Sequence, residues 1–331
     1  MSLDNRLSSP NVDMSNRIQA DWLELVAYYS DYGVAALDVL ISQLEMEADR
    51  ENEDTSEDDE FVEDTKLGVI GEVERRAQIL GQAYPFAMSA DGAQLRMVFD
   101  GSVGQAIYLF SLIMAHARGS ALVTEDLQPS AATLVTARDV FQICATLGAA
   151  GRTGGPAFSV GWPRADKTGF LEKLKEIWAQ FGDGLPHDVA PDHAPESVKD
   201  AGIDVLSWFP EADGQPGHGF VLGQVASGAN WKDKSIRPDI EQFMALWFQT
   251  QPVSHPHPIM FIPFLLDPYL MLNQTPRHGY ILDRGRLPAY AAKAFDVVAA
   301  GVGPVERLDE AVRIQNWLRD QRAELVQRWA A

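Results

Sequence analysis

The sequence predicts an α/β protein whose first third is mostly helical. Three observations predict this. Apolar residues recur at spacings of three and four through residues 20–46, 66–82 and 102–118, with little strand signal between them. From about residue 130, apolar runs such as "GIDVLSW" and "GFVLGQVA" alternate with amphipathic stretches such as "KTGFLEKLKEIWAQFGDG". The segment "TEDLQPSAAT" lies between the two textures and reads as a linker, which places a helical N-terminal domain over 1–125 and a second domain over 126–331.

Taken in order, "ADWLELVAYYSDYGVAALDVLISQLEM" (20–46) predicts one helix with a weak point at Tyr32-Gly33. Residues 45–64 carry twelve acids and one Arg and read as a solvated acidic loop; the sharper alternative is a mimic of nucleic-acid charge that shields a basic surface or docks a partner. "KLGVIGEVERRAQILGQ" is a second helix, "YPFAMSADGAQLRMVFD" a hairpin turning at Ala90-Asp91-Gly92, and "SVGQAIYLFSLIMAHAR" a strongly apolar helix. In the second domain "AATLVTARDVFQICATLGAAG" is a helix, "TGGPAFSVGWPR" turns strand-like, and the helix 167–184 ends in a Gly cap signal. Two strands follow, then a helix beyond Pro238, a buried strand in "HPIMFIPFLL", and a closing C-terminal helix.

Composition narrows the function. The chain has 331 residues and a net charge of −20, which argues against a generic nucleic-acid binder. No apolar run reaches membrane-spanning length and no apolar signal region opens the chain, so a cytoplasmic protein without membrane contact is expected. Cys144 is the single cysteine, which excludes an internal disulfide and a cysteine-cluster metal site. The phosphate-loop signature, the Gly-x-Gly-x-x-Gly fingerprint and the Gly-x-Ser-x-Gly elbow are absent.

The two strands carry the chemistry. If Trp208 lies opposite Phe220, antiparallel pairing sets Asp204 opposite Gln224, at the open end of a face shared with Leu206, Trp208, Phe220 and Leu222. A carboxylate beside apolar groups is costly unless it is paired or binds a metal. A hard cation such as Mg²⁺ takes oxygen ligands of this kind. The plainer reading is that Asp204 caps a backbone turn and Gln224 satisfies it in a polar pocket.

"KDAGIDVLSW" followed by "VLGQVASG" resembles the core of the PD-(D/E)XK nuclease superfamily, most nearly the Mrr-like restriction endonucleases. The matching residues are Asp200, Gly202, Asp204 and Gln224, and the resemblance covers roughly residues 130–265. It implies a restriction-endonuclease-like core, in which a helix, a strand meander and a second helix surround a central mixed sheet. It also implies hydrolysis of DNA phosphodiesters with Mg²⁺ or Mn²⁺. Asp204 and Gln224 would be metal ligands, and Asp200 would join the catalytic set. The family's Lys belongs two residues after Gln224, where this chain has Ala226; Lys232 and Lys234 are the candidate replacements. At the family's helix acid stands Gln142, with Asp139 one turn earlier and Glu172 and Glu176 as fallbacks. Such domains on unfamiliar helical modules resemble effectors of bacterial anti-phage defence. The N-terminal domain would then bind partner subunits, and a homo-oligomer is an option. The alternative is an inactive nuclease fold that binds DNA or a partner.

Other residues offer further readings. His255 and His257 sit between prolines, and His187 and His193 lie in a polar loop. Arg152, Arg164, Lys167 and Arg237, with Lys232 and Lys234, are expected to face DNA phosphates. Trp162 and Trp231 are read either as core or as stacking surfaces for bases. Cys144 reads as core.

Overall fold

In a computed structural model of the chain, the described residues are 3–11, 13–51, 55–162, 164, 166–192, 194 and 201–330. Between 47 and 62, and at 330, the description extends to the backbone alone. In chain order the elements are α1 (Asn16–Tyr29), β1 (Val34–Ala36), α2 (Leu37–Glu51), α3 (Thr55–Leu80), β2 (Phe86–Met88), β3 (Gln94–Met97), α4 (Val103–His116), α5 (Ala131–Thr153), β4 (Ala157–Ser159), α6 (Phe170–Phe181), β5 (Leu185–Pro186), β6 (Val205–Trp208), β7 (Phe220–Val225), α7 (Ile236–Trp247), β8 (Phe248–Thr250), β9 (Pro256–Phe261), α8 (Pro268–His278), β10 (Tyr280–Leu282), α9 (Leu287–Ala292), α10 (Ala294–Ala299) and α11 (Val312–Ala330). None of these helices is long and apolar enough to cross a membrane.

The chain forms two compact units, Met1–Thr136 with Gln315–Ala331, and Ala137–Ile314. The division therefore falls eleven residues after the expected boundary at 125, and the C-terminal helix, expected in the second domain, belongs mainly to the first unit. Tyr28 donates its hydroxyl to the Leu318 carbonyl, and Gln321 donates its amide to the Tyr29 hydroxyl, so α11 is tied to α1.

Two further expectations change in the first unit. The helix expected over 20–46 stops at Tyr29, and Gly33 takes φ +66° to turn the chain into β1. β1 then pairs with β3, so the expected hairpin of β2 and β3 gains a third strand, in the order β1-β3-β2. The acidic stretch, expected as a loop over 45–64, is helical on both sides of 52–54, within α2 and α3. Each of these helices is anchored away from the acids by fully buried residues, Leu40 and Leu44 in α2, Val69 and Val73 in α3.

The second unit is built on a mixed five-stranded sheet in the order β10-β9-β7-β6-β4. β4, β6 and β7 pair antiparallel, and β7, β9 and β10 pair parallel. The parallel step from β7 to β9 requires a crossover, and α7 supplies it. α6 buries Phe170, Leu174, Ile177, Trp178 and Phe181, a spacing of three and four that aims one stripe at the sheet. Gly182, at φ +78°, ends α6 where the Gly cap signal placed its stop. α7 buries Ile236, Ile240, Phe243, Met244 and Trp247 in the same way. Both stripes meet Leu206, Trp208, Phe220 and Leu222 in one apolar core. Each such side chain, fully buried, stabilises the fold by about 1.5–3 kcal/mol.

Candidate functional site

The site lies in the second unit, at the start of β6 and the end of β7. The ladder pairs Val205 with Gly223, Leu206 with Leu222, Ser207 with Val221 and Trp208 with Phe220. This is the register assumed from the sequence; the ladder ends at Val205 and Gly223, and Asp204 lies one residue before it. The four apolar residues expected to share their face belong to one core cluster.

Asp204 leaves the regular ladder. Its N–H bonds the Gly223 carbonyl on β7, while its own carbonyl accepts from the N–H groups of Val160 and Gly161 on the other side, at 2.8 and 3.0 Å. This kink brings the carboxylate toward the strand end. Oδ2 accepts the Val225 N–H at 2.7 Å. Oδ1 lies against Gly161, where an added β-carbon would come within 2.8 Å of it. The plainer reading of Asp204 as a backbone cap is therefore met by Oδ2.

Gln224 is half-buried on β7. Its amide nitrogen lies 3.3 Å from an Asp239 carboxylate oxygen and 3.5 Å from the Gly202 carbonyl, the latter at the limit of a hydrogen bond. Both partners are acceptors, which fixes the orientation of the amide. Its carbonyl oxygen, Oε1, is buried and accepts no hydrogen bond from the described residues.

Asp239 was not foreseen. It sits in the first turn of α7, where an acid reads simply as a partner of the helix dipole. Gly202 admits it. At φ +80°, a β-carbon on Gly202 would stand 2.8 Å from Asp239 Cγ. The "SIRPDIEQ" helix start and the Gly202 of the strand motif were the available signals.

Gln142 reaches the site from α5. Its amide nitrogen donates to the Asp204 carbonyl at 2.7 Å and to the Ser159 hydroxyl at 3.2 Å. It therefore holds the Asp204 backbone rather than its carboxylate. Asp139, expected beside it as a metal ligand, is not at the site. Its two oxygens are bound by Arg307 at 2.8 Å and Arg313 at 2.5 Å. Burial opposes its ionisation, but the two guanidinium groups outweigh that and hold its carboxyl below the usual range.

The expected lysines stand apart from these contacts. Lys232 and Lys234 are exposed, and neither forms an ion pair with a described residue. Ala226 is almost fully buried among Trp231, Met260, Ile262, Leu266 and Ile281, so an ammonium at that position would enter an apolar cluster. Glu172 is exposed, and Glu176 joins Lys173 rather than Asp204. Lys173 is buried and is also bound by Asp166 and Glu306. Asp200 and His193 lie outside the described residues.

The remaining candidates separate clearly. Arg164, expected to face DNA, is buried and donates to the Val160 and Thr168 carbonyls. Arg152 is half-buried, with the rings of Phe209, Tyr280 and Tyr290 5.0–5.9 Å away. Arg237 is exposed and donates to the Pro276 carbonyl. Lys167 is exposed. Trp231 is core, whereas Trp162 is 53% exposed. Cys144 is fully buried, and burial pushes its thiol well above the usual range. His255 and His257 are exposed. Among the described residues no three His, Cys, Asp or Glu side chains are grouped to share a metal ion.

The chain matches no protein-family model, and no curated protein or solved structure matches it.

The donor atoms that the Asp204, Asp239 and Gln224 side chains offer a cation are oxygens. Mg²⁺ keeps several waters and needs only one or two carboxylates. Asp204, Asp239 and the unpartnered carbonyl oxygen of Gln224 are oxygen donors of this kind.

Proposed function

We propose that the chain is a metal-dependent DNA endonuclease of restriction-endonuclease type, hydrolysing phosphodiester bonds at the open end of β6 and β7. The observation that carries this reading is the antiparallel register of β6 and β7, with Trp208 opposite Phe220, which is the register on which the reading of Asp204 and Gln224 rests. The element order adds support. A helix (α5), the antiparallel strands β4, β6 and β7, and a second helix (α7) on a mixed sheet agree in part with the helix, meander and helix that the resemblance implies, although α6 and β5 come between β4 and β6.

When bound, Mg²⁺ or Mn²⁺ supplies polarisation of a phosphate oxygen and a more acidic water. Asp204, Gln224 and Asp239 are the residues to hold it. The Val225 N–H fixes Oδ2 of Asp204, and Oδ1 lies beside Gly161. Asp239 and Gly202 orient the Gln224 amide so that its carbonyl oxygen is the group left to accept. Gln142 holds the kinked backbone of Asp204 in place. Lys232 and Lys234, on the turn after β7, bring positive charge to the phosphate.

A plasmid-nicking assay with Mg²⁺ or Mn²⁺ tests this. Wild type is expected to nick, and Asp204→Asn to lose activity by about 100-fold or more while remaining folded under the assay conditions. Nicking by neither protein with either ion sinks the enzyme.

A second reading, an inactive nuclease fold that binds DNA, is favoured by the apolar burial of Ala226. It predicts duplex binding that weakens steeply with salt, with no nicking by wild type.

A further inference from the structure

We propose that Trp162 is a stacking platform for an unpaired base of the nucleic acid held at the Asp204 site; the inference rests on the nuclease reading for its substrate class. The Trp162 indole is 53% exposed. A lone exposed indole would carry nothing further. What distinguishes Trp162 is how it is held and where.

The loop that carries it is fixed at both ends. The N–H groups of Val160 and Gly161 both bond the Asp204 carbonyl. Arg164, only 4% exposed, donates back to the Val160 carbonyl at 3.0 Å and to the Thr168 carbonyl at 2.9 Å. Its guanidinium carbon lies 5.3 Å from the centre of the Trp162 ring, within cation–π range. The indole is thus braced by a buried cation while much of its surface stays in solvent. An exposed aromatic face already held by a neighbouring cation loses less entropy when a flat partner stacks on it.

The location is the second argument. Gly161, the residue before Trp162, lies against both the Asp204 carboxylate and the Gln142 amide, at 2.8 and 3.1 Å from an added β-carbon. Adjacent α-carbons are about 3.8 Å apart, so the platform begins one residue from the proposed chemistry. Lys167, exposed on the same loop, adds a cation for the backbone of the strand being stacked. Every base has a π-face, so such a platform selects for unpaired bases rather than for sequence.

The test measures anisotropy of a labelled 15-nucleotide oligo-dT in EDTA at low salt, where hydrolysis does not contribute. Trp162→Ala is expected to raise Kd about 5- to 150-fold, the range for loss of one base–aromatic stack. Trp162→Phe should stay within about threefold of wild type. An oligonucleotide of the same length made of abasic sites should bind wild type as weakly as oligo-dT binds Trp162→Ala. Equal Kd for wild type and Trp162→Ala, equal binding of abasic and intact strands, or no binding by wild type overturns the proposal. Failure of the nuclease reading appears separately, as absence of nicking by wild type, and leaves the anisotropy result to stand on its own.

Discussion

Arg76 in the first unit and Gln224 in the second are both polar groups set among apolar elements, and their surroundings differ in one respect. Arg76 is fully buried and closed in. Its guanidinium binds Asp21 at 2.7 Å, and Glu24 and Glu72 at 2.8 Å each. Tyr84 and Tyr108 donate their hydroxyls to Glu24, and His116 meets Asp21 at 2.8 Å. Burial works against the charge of Arg76, yet Glu24, Tyr108 and Asp21 hold it well above its usual range. Gln224 instead keeps a buried carbonyl oxygen that no described residue serves. A group whose bonds are all made within the fold acts on stability. A group positioned by its neighbours yet left with an unused acceptor is suited to a ligand. This difference is why the candidate site is placed at Gln224 rather than at the larger cluster of charges around Arg76.

The largest expected effect tests the closed cluster. Arg76→Met leaves three carboxylates without their common partner, and breaking a buried pair in this way costs about 3–5 kcal/mol. Urea unfolding should show a loss of that size. Asp204→Asn should cost no more than about 1–1.5 kcal/mol, since its amide oxygen can still accept the Val225 N–H. Similar losses for the two variants would break the comparison.

Next in size are the glycines that let the open site close up. Gly161→Ala sets a methyl 2.8 Å from Asp204 Oδ1 and 3.1 Å from both ends of the Gln142 amide. Overpacking of this kind costs about 1–3 kcal/mol, readable in the urea midpoint. Gly202→Ala adds a φ of +80° that alanine disfavours to a 2.8 Å approach to Asp239. Both variants should lose more than Gly154→Ala, where nothing lies within 4 Å although φ is +67°. Equal losses at Gly202 and Gly154 would mean that the φ angle, and not the approach to Asp239, sets the cost there, and a loss at Gly161 no larger than at Gly154 would mean that the site absorbs the added methyl.

These glycines also mark how far the sequence could be read. The strand register was legible because Asp204 and Gln224 alternate with Leu206, Trp208, Phe220 and Leu222, and period two leaves one pairing that buries them together. Gln142, which the resemblance put among the metal ligands, reaches the backbone carbonyl of Asp204 and not its carboxylate. Asp139 misled because its partners, Arg307 and Arg313, lie far along the chain, where no local pattern points to them. Asp239 was hidden by its position, since an acid in a first turn has an ordinary explanation. The acidic stretch read as loop because its local charge argues against a helix; buried Leu and Val residues beyond it outweigh that. The break at Gly33 was marked in the sequence, but three residues are too few to announce a strand.

A smaller effect concerns acid, and its sign follows from Asp166. Burial opposes its ionisation, but Lys173 and Thr168 more than compensate and bring its carboxyl from 3.8 down to about 2. A carboxyl lowered on folding adds stability that is complete above about pH 4 and lost as pH falls through about 2. Glu306, on the same ammonium, is raised by burial despite Lys173, so its contribution has the opposite slope. The difference in unfolding free energy between wild type and Asp166→Asn should therefore shrink between pH 5 and pH 2. A difference that stays constant over that window would mean that the Asp166–Lys173 contact at 2.9 Å does not persist in solution.

The smallest expected effect is an absence of reaction. Cys144 lies on α5 two residues from Gln142, is fully buried, and has its thiol pushed up by burial, so little thiolate forms and none of it is accessible. A disulfide reagent at pH 8 should label it only as fast as α5 opens. Asp204→Asn and Gln224→Leu alter the end of the sheet and should leave that rate unchanged, whereas Gly161→Ala, which presses directly on Gln142, should raise it. Rapid labelling of wild type would remove the basis for treating Gln142 as a fixed support of Asp204. An unchanged rate in Gly161→Ala would show that the strain at Asp204 is absorbed locally, within the loop that carries Trp162.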